Sequence, residues 1–391
     1  MRIGRLLLLV VGSILVLSTT GFTEDDLTLA HLVNRYDIIE RQAVDLSQWK
    51  SHNNDSGSLA WNTSYLLNSY LGMYEVSSDH KYLDRFVTLA DAILDVTDKK
   101  RGMADYKGRK QTGWGSVAYS GDRARVVWLA HSGMITYPLL RFALDVKQHS
   151  IHSTYSHNAE SYVKVSEAAL KEFDNEWRYD SDSQEGHYVF EKDQPDYQSS
   201  AGAEVPVPFN MQLAAGRSFI VLWKLTHKTA YFAKARALAK HFKDHVQVDE
   251  SGAYMWTYWY DRALSRSASS EDASHGAIDV DFAVLAAQNG IIFDKSDLNR
   301  FLGSFNERLA LDRRESGGHL AATQAKQDPY PLARWLPLLQ ASCTGVNDLA
   351  DEVMDDTGHA DPLHLIALSQ LAKYWQACHA SLDRAPNTSL K

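Results

Sequence analysis

The sequence predicts an all-α protein, and three observations point there. Apolar residues recur at three- and four-residue spacing in segment after segment. Period-two alternation is scarce; Gly252–Tyr260 is its best example, and it is short. One helix hairpin is also echoed later in the chain. Trp61-Asn62 opens a helix that turns at Ser77-Ser78 into Tyr82, and Phe209-Asn210 opens one that turns at Thr226-His227-Lys228 into Tyr231. Hairpins of this kind bury only one face alone and must stack on neighbours. The expected architecture is an α/α barrel, or toroid, of six to seven helix hairpins whose inner helices line a cleft. An open solenoid is the alternative, but the chain shows no constant repeat period.

Helices are expected at about 27–47, 59–76, 79–98, 122–147, 157–178, 208–226, 229–247, 272–289, 295–311, 330–341 and 361–381. In 79–98 the stripe is Tyr82, Phe86, Leu89, Ala90 and Ile93. In 229–247 it is Tyr231, Ala235, Leu238, Ala239 and Phe242. The stretches 99–121 and 179–207 read as long irregular loops rich in Gly, aromatic and charged residues, the kind that form lids.

The 391 residues are 45% hydrophobic and 23% charged, which excludes a disordered or coiled-coil chain. A net charge of −9 removes the basic footprint of a nucleic-acid binder. Arg2 and Arg5, the apolar run Leu6–Leu17 and the small residues Ser18–Gly21 form a signal-peptide pattern, with Glu24-Asp25-Asp26 beyond it. Residues 1–21 are therefore expected to be a leader and 22–391 a single catalytic domain. The protein is expected to be exported, periplasmic or secreted, and monomeric, with no membrane insertion of the mature chain. Cys343 and Cys378 either pair in an oxidising compartment or are two small buried residues.

Four clusters carry candidate chemistry. Glu271-Asp272-Ala273-Ser274-His275-Gly276 opens a predicted helix, with Asp272, His275 and Asp279 on one face. Capping explains the acids but not a His among small residues. Val205-Pro206-Val207-Pro208-Phe209-Asn210 sets an extended approach to a helix; Asn210 reads either as its N-cap or, sharing a stripe with Arg217, as part of an amide–guanidinium pair suited to a carboxylate. Tyr330 and Arg334 are four apart, and a nearby cation favours phenolate. His131 lies in an apolar helix that follows Arg123 and Arg125. It reads either as a hydrogen-bonded core residue or as a substrate contact. Trp114, Trp256 and Trp259 offer faces for sugar stacking or are core. The P-loop, dinucleotide, zinc-protease and nucleophile-elbow motifs are absent, and the histidines lack dense metal spacing.

Pro208-Phe209-Asn210, Asp272-x-Ser274-His275-Gly276 and Tyr330, in that order on successive hairpins, resemble the α/α-barrel polysaccharide lyases that act on glucuronan and alginate, the family 38 type. The resemblance spans most of residues 30–380. Those lyases use an Asn, a His, an Arg and a Tyr. The resemblance implies Asn210, His275 and Tyr330 in three of these roles. Gln324 and Lys326 occupy the stretch where the family arginine would precede the Tyr, which leaves Arg334, Arg314 or Arg217. The implied reaction is β-elimination on an anionic polysaccharide, without metal or cofactor. Donors hold the uronate carboxylate while charge builds on it, and a tyrosine takes the C5 proton and returns one to O4. Arg123, Arg125, Arg217 and Arg334 are the expected basic cleft, with His131, Trp114 and Asp272 as further substrate contacts. The alternatives are a glycoside hydrolase using Asp272 with Glu204 or Asp279, a uronate C5-epimerase, or a non-catalytic glycan-binding protein.

Overall fold

The helical period of the sequence is realised as two layers, one around the other. The computed structural model describes residues 28–149, 152–195, 204–259, 271–314, 333–341, 353–354 and 360–382. Among them are ten longer helices: α1 (Leu29–Ala43), α2 (Ser64–Ser77), α3 (Lys81–Asp95), α4 (Leu129–Gln148), α5 (His152–Lys171), α6 (Phe209–Thr226), α7 (Thr229–His245), α8 (Ala273–Gln288), α9 (Lys295–Arg314) and α10 (Pro362–Leu382). A π-helical turn, Leu59–Thr63, leads into α2.

The inner layer runs α2, α4, α6, α8, each against the next. From α8 it passes through the 3-10 stretch Leu336–Ala341 to α10, and α10 packs back on α2, so the ring closes. Outside it, α3 covers α2, α5 covers α4, α7 covers α6, α9 covers α8, and α1 covers α10. This is the α/α barrel. The described residues supply five inner–outer pairs; a further expected hairpin would fall on 315–360, mostly outside them.

The two layers differ in the way their positions demand. On α3 the buried residues include the predicted stripe Tyr82, Phe86, Leu89, Ala90 and Ile93. On α4, 15 of 20 residues are buried, so the helix is enclosed on almost every side. Close approach of α4 and α6 needs Gly133: a Cβ there would lie 2.4 Å from the Ala215 amide nitrogen. Next to it, the hydroxyls of Thr136 and Ser218 bond across the same interface at 2.9 Å. The repeated hairpin turns are alike in detail. Ser78 and His227 both take left-handed backbone (φ 55° and 57°), and their N–H groups close on the carbonyls of Tyr74 and Trp223 at 2.8 Å.

Three expectations are corrected. Residues 122–128 are not helix. Arg123 turns the chain at φ 59°, Val126 bridges Ser116, and the helix starts only at Leu129. The stretch 179–207 holds strands as well as loop: β1 (Trp177–Tyr179), β2 (Gly186–Phe190) and β3 (Val205–Pro206) form an antiparallel sheet in that order, with Trp177 opposite Tyr188 and Val189 opposite Pro206. Strands of three, five and two residues are too short for alternation to register. The strand-like 252–260 contributes only β5 (Tyr254–Met255), paired with β4 (Gln247–Val248).

The expected leader, Tyr330 and Cys343 lie outside the described residues. Cys378, buried on α10, is disulfide-bonded. Among the described residues no helix is long and apolar enough to cross a membrane.

Candidate functional site

The inner helices all start at one end of the barrel, and there a cavity of about 530 Å³ opens. His131 reaches it from the start of α4, Asn210 from α6, Ser274 and His275 from α8, and Leu363 from α10. Trp61, Asn62 and Tyr65 come from the turn into α2 and its first residues. The positive ends of these helix dipoles therefore face one space, a field that favours anions.

Asn210 follows Pro208, whose backbone (φ −54°, ψ 154°) makes the bend into α6. The approach is fastened by Gln212, which donates to the Val207 carbonyl at 3.0 Å and accepts from the Tyr188 amide at 3.1 Å. Asn210 is buried, yet its Oδ1 has no partner among the described residues. That open oxygen is an acceptor and suits a sugar hydroxyl; the Nδ2–H of the same amide is the atom that a carboxylate would need.

His275 sits in the first turn of α8. Asp272 caps that helix, accepting from the amides of Ser274 and His275 at 2.8 Å each. Its second oxygen accepts from His275 Nδ1 at 2.6 Å. Burial would lift the Asp272 carboxyl, but the His275 hydrogen bond and the two amides outweigh it and hold the pKa at about 2. Burial works against charge on His275 too. The bond and charge of Asp272, with Glu271 behind, prevail, and the imidazole is raised above its ordinary value. The small residue Gly276 is used by Trp335 rather than by His275: a Cβ there would meet the indole at 2.9 Å.

His131 is set up in the opposite way. It is 2% exposed, and burial drives its pKa down to about 3, so the ring is neutral. Its tautomer follows from Asn54, whose Nδ2 donates to the Trp114 carbonyl at 2.7 Å while its Oδ1 accepts from the Ala60 amide at 3.3 Å. The amide is thereby oriented with N–H toward His131 Nδ1 at 3.0 Å, so Nδ1 accepts and Nε2 carries the proton. Trp61 and Tyr119 pack edge-on against this ring.

Arg334 joins the site from the turn after residue 332. Its guanidinium lies 4.6 Å over the Tyr65 ring and bonds the Ser274 hydroxyl and carbonyl at 3.3 and 3.1 Å. The other expected arginines are elsewhere. Arg217 is buried against Asp281 at 2.7 Å and the Tyr137 ring at 4.5 Å. Arg125 is locked by Asp98 and Asp55, at 2.5 and 2.7 Å, and Arg123 is exposed on the loop. Trp114 is core, its indole N–H on the Ile93 carbonyl at 2.9 Å. Trp256 is core as well, donating to buried Asp279 at 2.9 Å. Glu204 pairs with Arg178, away from the cavity lining.

The structure thus brings Asn210, His275 and His131 to one cavity, with Asp272 and Arg334 directly behind. Sequence reasoning missed Tyr65 and Tyr258 in its wall and had Tyr119 only as an aromatic of the lid-like loop 99–121. The Tyr258 ring lies 5.4 Å from that of His275. In a chain with 19 tyrosines nothing in spacing marks these three. Tyr119 accepts from the Trp61 indole, but burial prevails and raises its phenol.

The sequence matches no protein-family model and no curated protein. Solved structures do match. The α-1,6-mannanase GH76A of Salegentibacter sp. HEL1_6 is 14% identical with a TM-score of 0.53, covering 89% of this chain and 99% of its own. An unsaturated glucuronyl hydrolase from Streptococcus agalactiae is 11% identical with a TM-score of 0.50, covering 88% and 80%. A polysaccharide lyase, BACCELL_00875, is 10% identical over 89% and 98%, at a TM-score of 0.40 too remote to bear on function. The first two likenesses agree with the α/α barrel and speak to fold alone.

Proposed function

We propose that this protein is an exported polysaccharide lyase that cleaves a uronic-acid polymer, of glucuronan or alginate type, by β-elimination. One observation carries the reading: the described residues lining the cavity offer imidazole, amide, phenol and indole groups but no carboxylate. Elimination calls for neutral or cationic donors around the sugar carboxylate, with a base and an acid, rather than for a pair of carboxylates. As C5 loses its proton, negative charge moves onto the sugar carboxylate. The Nε2–H of neutral His131 and the more basic His275 are donors suited to hold it, Asn210 can add only its Nδ2–H, and the helix N-termini around the cavity add to the field. Asp272 and Arg334 position His275 and Ser274 rather than touching substrate. Tyr330 is assigned as the base that takes the C5 proton and the acid that protonates O4. The net charge of −9 opposes long-range steering of a polyanion, so capture rests on this local field.

Hydrolysis is the second reading. It is favoured by the adjacent acids Glu271 and Asp272 beside His275. A panel of polyuronates separates the two. Elimination gives new ultraviolet absorbance from the unsaturated sugar end; reducing ends without absorbance mean hydrolysis and overturn the lyase. Tyr330→Phe is expected to lower elimination by roughly a hundredfold or more with folding intact.

A further inference from the structure

Away from the cavity, one cluster of side chains has no part in the chemistry above. His241 and His245 are one turn apart on the same face of α7, and Glu185 meets them from the turn before β2. Glu185 Oε2 is 2.8 Å from His241 Nδ1 and 3.8 Å from His245 Nδ1. One ligand-capable atom of each residue lies within 4.8 Å of the others. We propose that Glu185, His241 and His245 form a binding site for a divalent transition ion of the zinc class, which ties the β-sheet to the outer helix α7.

The donor chemistry fits. Two imidazoles and a carboxylate are a borderline-soft set that suits zinc better than calcium or magnesium. The His245 Nδ1–H donates to the His241 carbonyl at 2.8 Å. An ion taking His245 Nδ1 would exchange this bond for the metal and release the Nδ1 proton. Zinc ligands stand about 2.0–2.1 Å from the ion. His245, with a third of its side chain exposed, has the freedom to close that distance, while His241 is fixed in the core. The charge balance fits too. The Asp244 carboxyl comes within hydrogen-bonding reach of Glu185, and Lys240 is the cation paired with Asp244. A second carboxyl pressed on the first favours a further cation between them.

The site has a defined mechanical position. The Phe209 ring packs on both imidazoles, with centroids 5.7 and 6.2 Å away, and His187 stacks on His241 at 5.0 Å. An ion here would brace β2 and α7 behind the residue that precedes Asn210.

The test uses untagged full-length protein, stripped with chelator and titrated with zinc chloride alone by calorimetry and thermal melting. One zinc per chain and a raised thermal midpoint are expected, with no comparable response to calcium or magnesium. Glu185→Gln and His245→Ala should each weaken zinc at least about tenfold, while His275→Ala leaves it unchanged. Circular dichroism confirms folding, and Glu185→Gln preserves shape if His245→Ala does not fold. Absence of stoichiometric binding, or unchanged affinity in both variants, overturns the proposal. Loss in His275→Ala alone also overturns it, by moving the ion to Glu271, Asp272 and His275. The readout is zinc binding, so it is independent of the lyase reading.

Discussion

His131 and His275 line one cavity, yet their surroundings push them to opposite charge states. His131 has an amide donor at Nδ1 and no carboxylate bonded to it, and its pKa is about 3. His275 has a carboxylate at the same nitrogen and a raised pKa. The difference has two causes: full burial alone depresses His131, whereas the bond and charge of Asp272 outweigh burial at His275. One cavity thereby holds a permanently neutral donor beside one that gains a proton easily. That division suits a site that must first bind an anion and then carry more charge on it.

The largest expected effect breaks the charged half. His275→Ala should lower kcat by roughly a hundred- to a thousandfold with the thermal midpoint nearly kept. Asp272→Asn refines this. Asn caps a helix about as well as Asp, so α8 is spared. His275 then loses its ionic partner and its pKa falls back, so the loss of rate should grow with pH as the imidazolium disappears. A pH–rate profile of the variant that parallels the wild type would remove Asp272 from this role.

The neutral half is sharpened next. In Asn54→Ala, His131 no longer has its proton fixed on Nε2, and turnover should fall by about tenfold or more. Unchanged kcat in a folded variant would make His131 a core residue only.

The two halves also differ in their effect on stability. The His131 pKa drops from about 6.5 in the unfolded chain to about 3 in the fold. The unfolded chain then binds more protons between those values, so this residue costs stability progressively as pH falls below about 6.5. His275 acts in reverse: its raised pKa contributes stability at pH below about 6.5 that is lost as pH rises through the folded value. His131→Gln keeps an N–H donor but cannot charge, so its thermal midpoint should fall less than that of wild type between about pH 7 and pH 4. Parallel falls would contradict a buried neutral His131.

Much of this was legible in the sequence, for identifiable reasons. The outer helices carried one-sided stripes, as in α3, and the repeated hairpin implied stacked units. Asn210 stood out because it shares a stripe with Arg217, and His275 because capping explains the acids before it but not an imidazole among small residues. Arg125 was misassigned because its partners Asp98 and Asp55 lie 27 and 70 residues away, and pairing at that range leaves no local pattern. Arg217 shares a stripe with Asn210 but lies two turns deeper, where Asp281 takes it up. Periodicity gives the face of a helix and not the depth along the barrel. The histidines of α7 escaped notice because the third member of their cluster, Glu185, directly precedes β2, a strand that the pattern did not reveal.

The smallest expected effect tests the cavity wall itself. Tyr119 stands edge-on to His131, with ring centroids 5.1 Å apart, on the loop that Asp55, Asp98 and Arg125 fasten. Its phenol accepts from Trp61 and is raised by burial, the wrong direction for a base. It is 48% exposed, a position suited to stacking against a sugar ring rather than taking its proton. Tyr119→Phe keeps the ring and removes the hydroxyl, so KM should rise a few-fold at most while kcat is nearly unchanged, the signature of lost ground-state binding. A fall in kcat of about a hundredfold would be the mark of acid–base work. Tyr119 would then take the role proposed for Tyr330, and the proton would be removed on the His131 side of the cavity, next to the neutral histidine rather than the charged one.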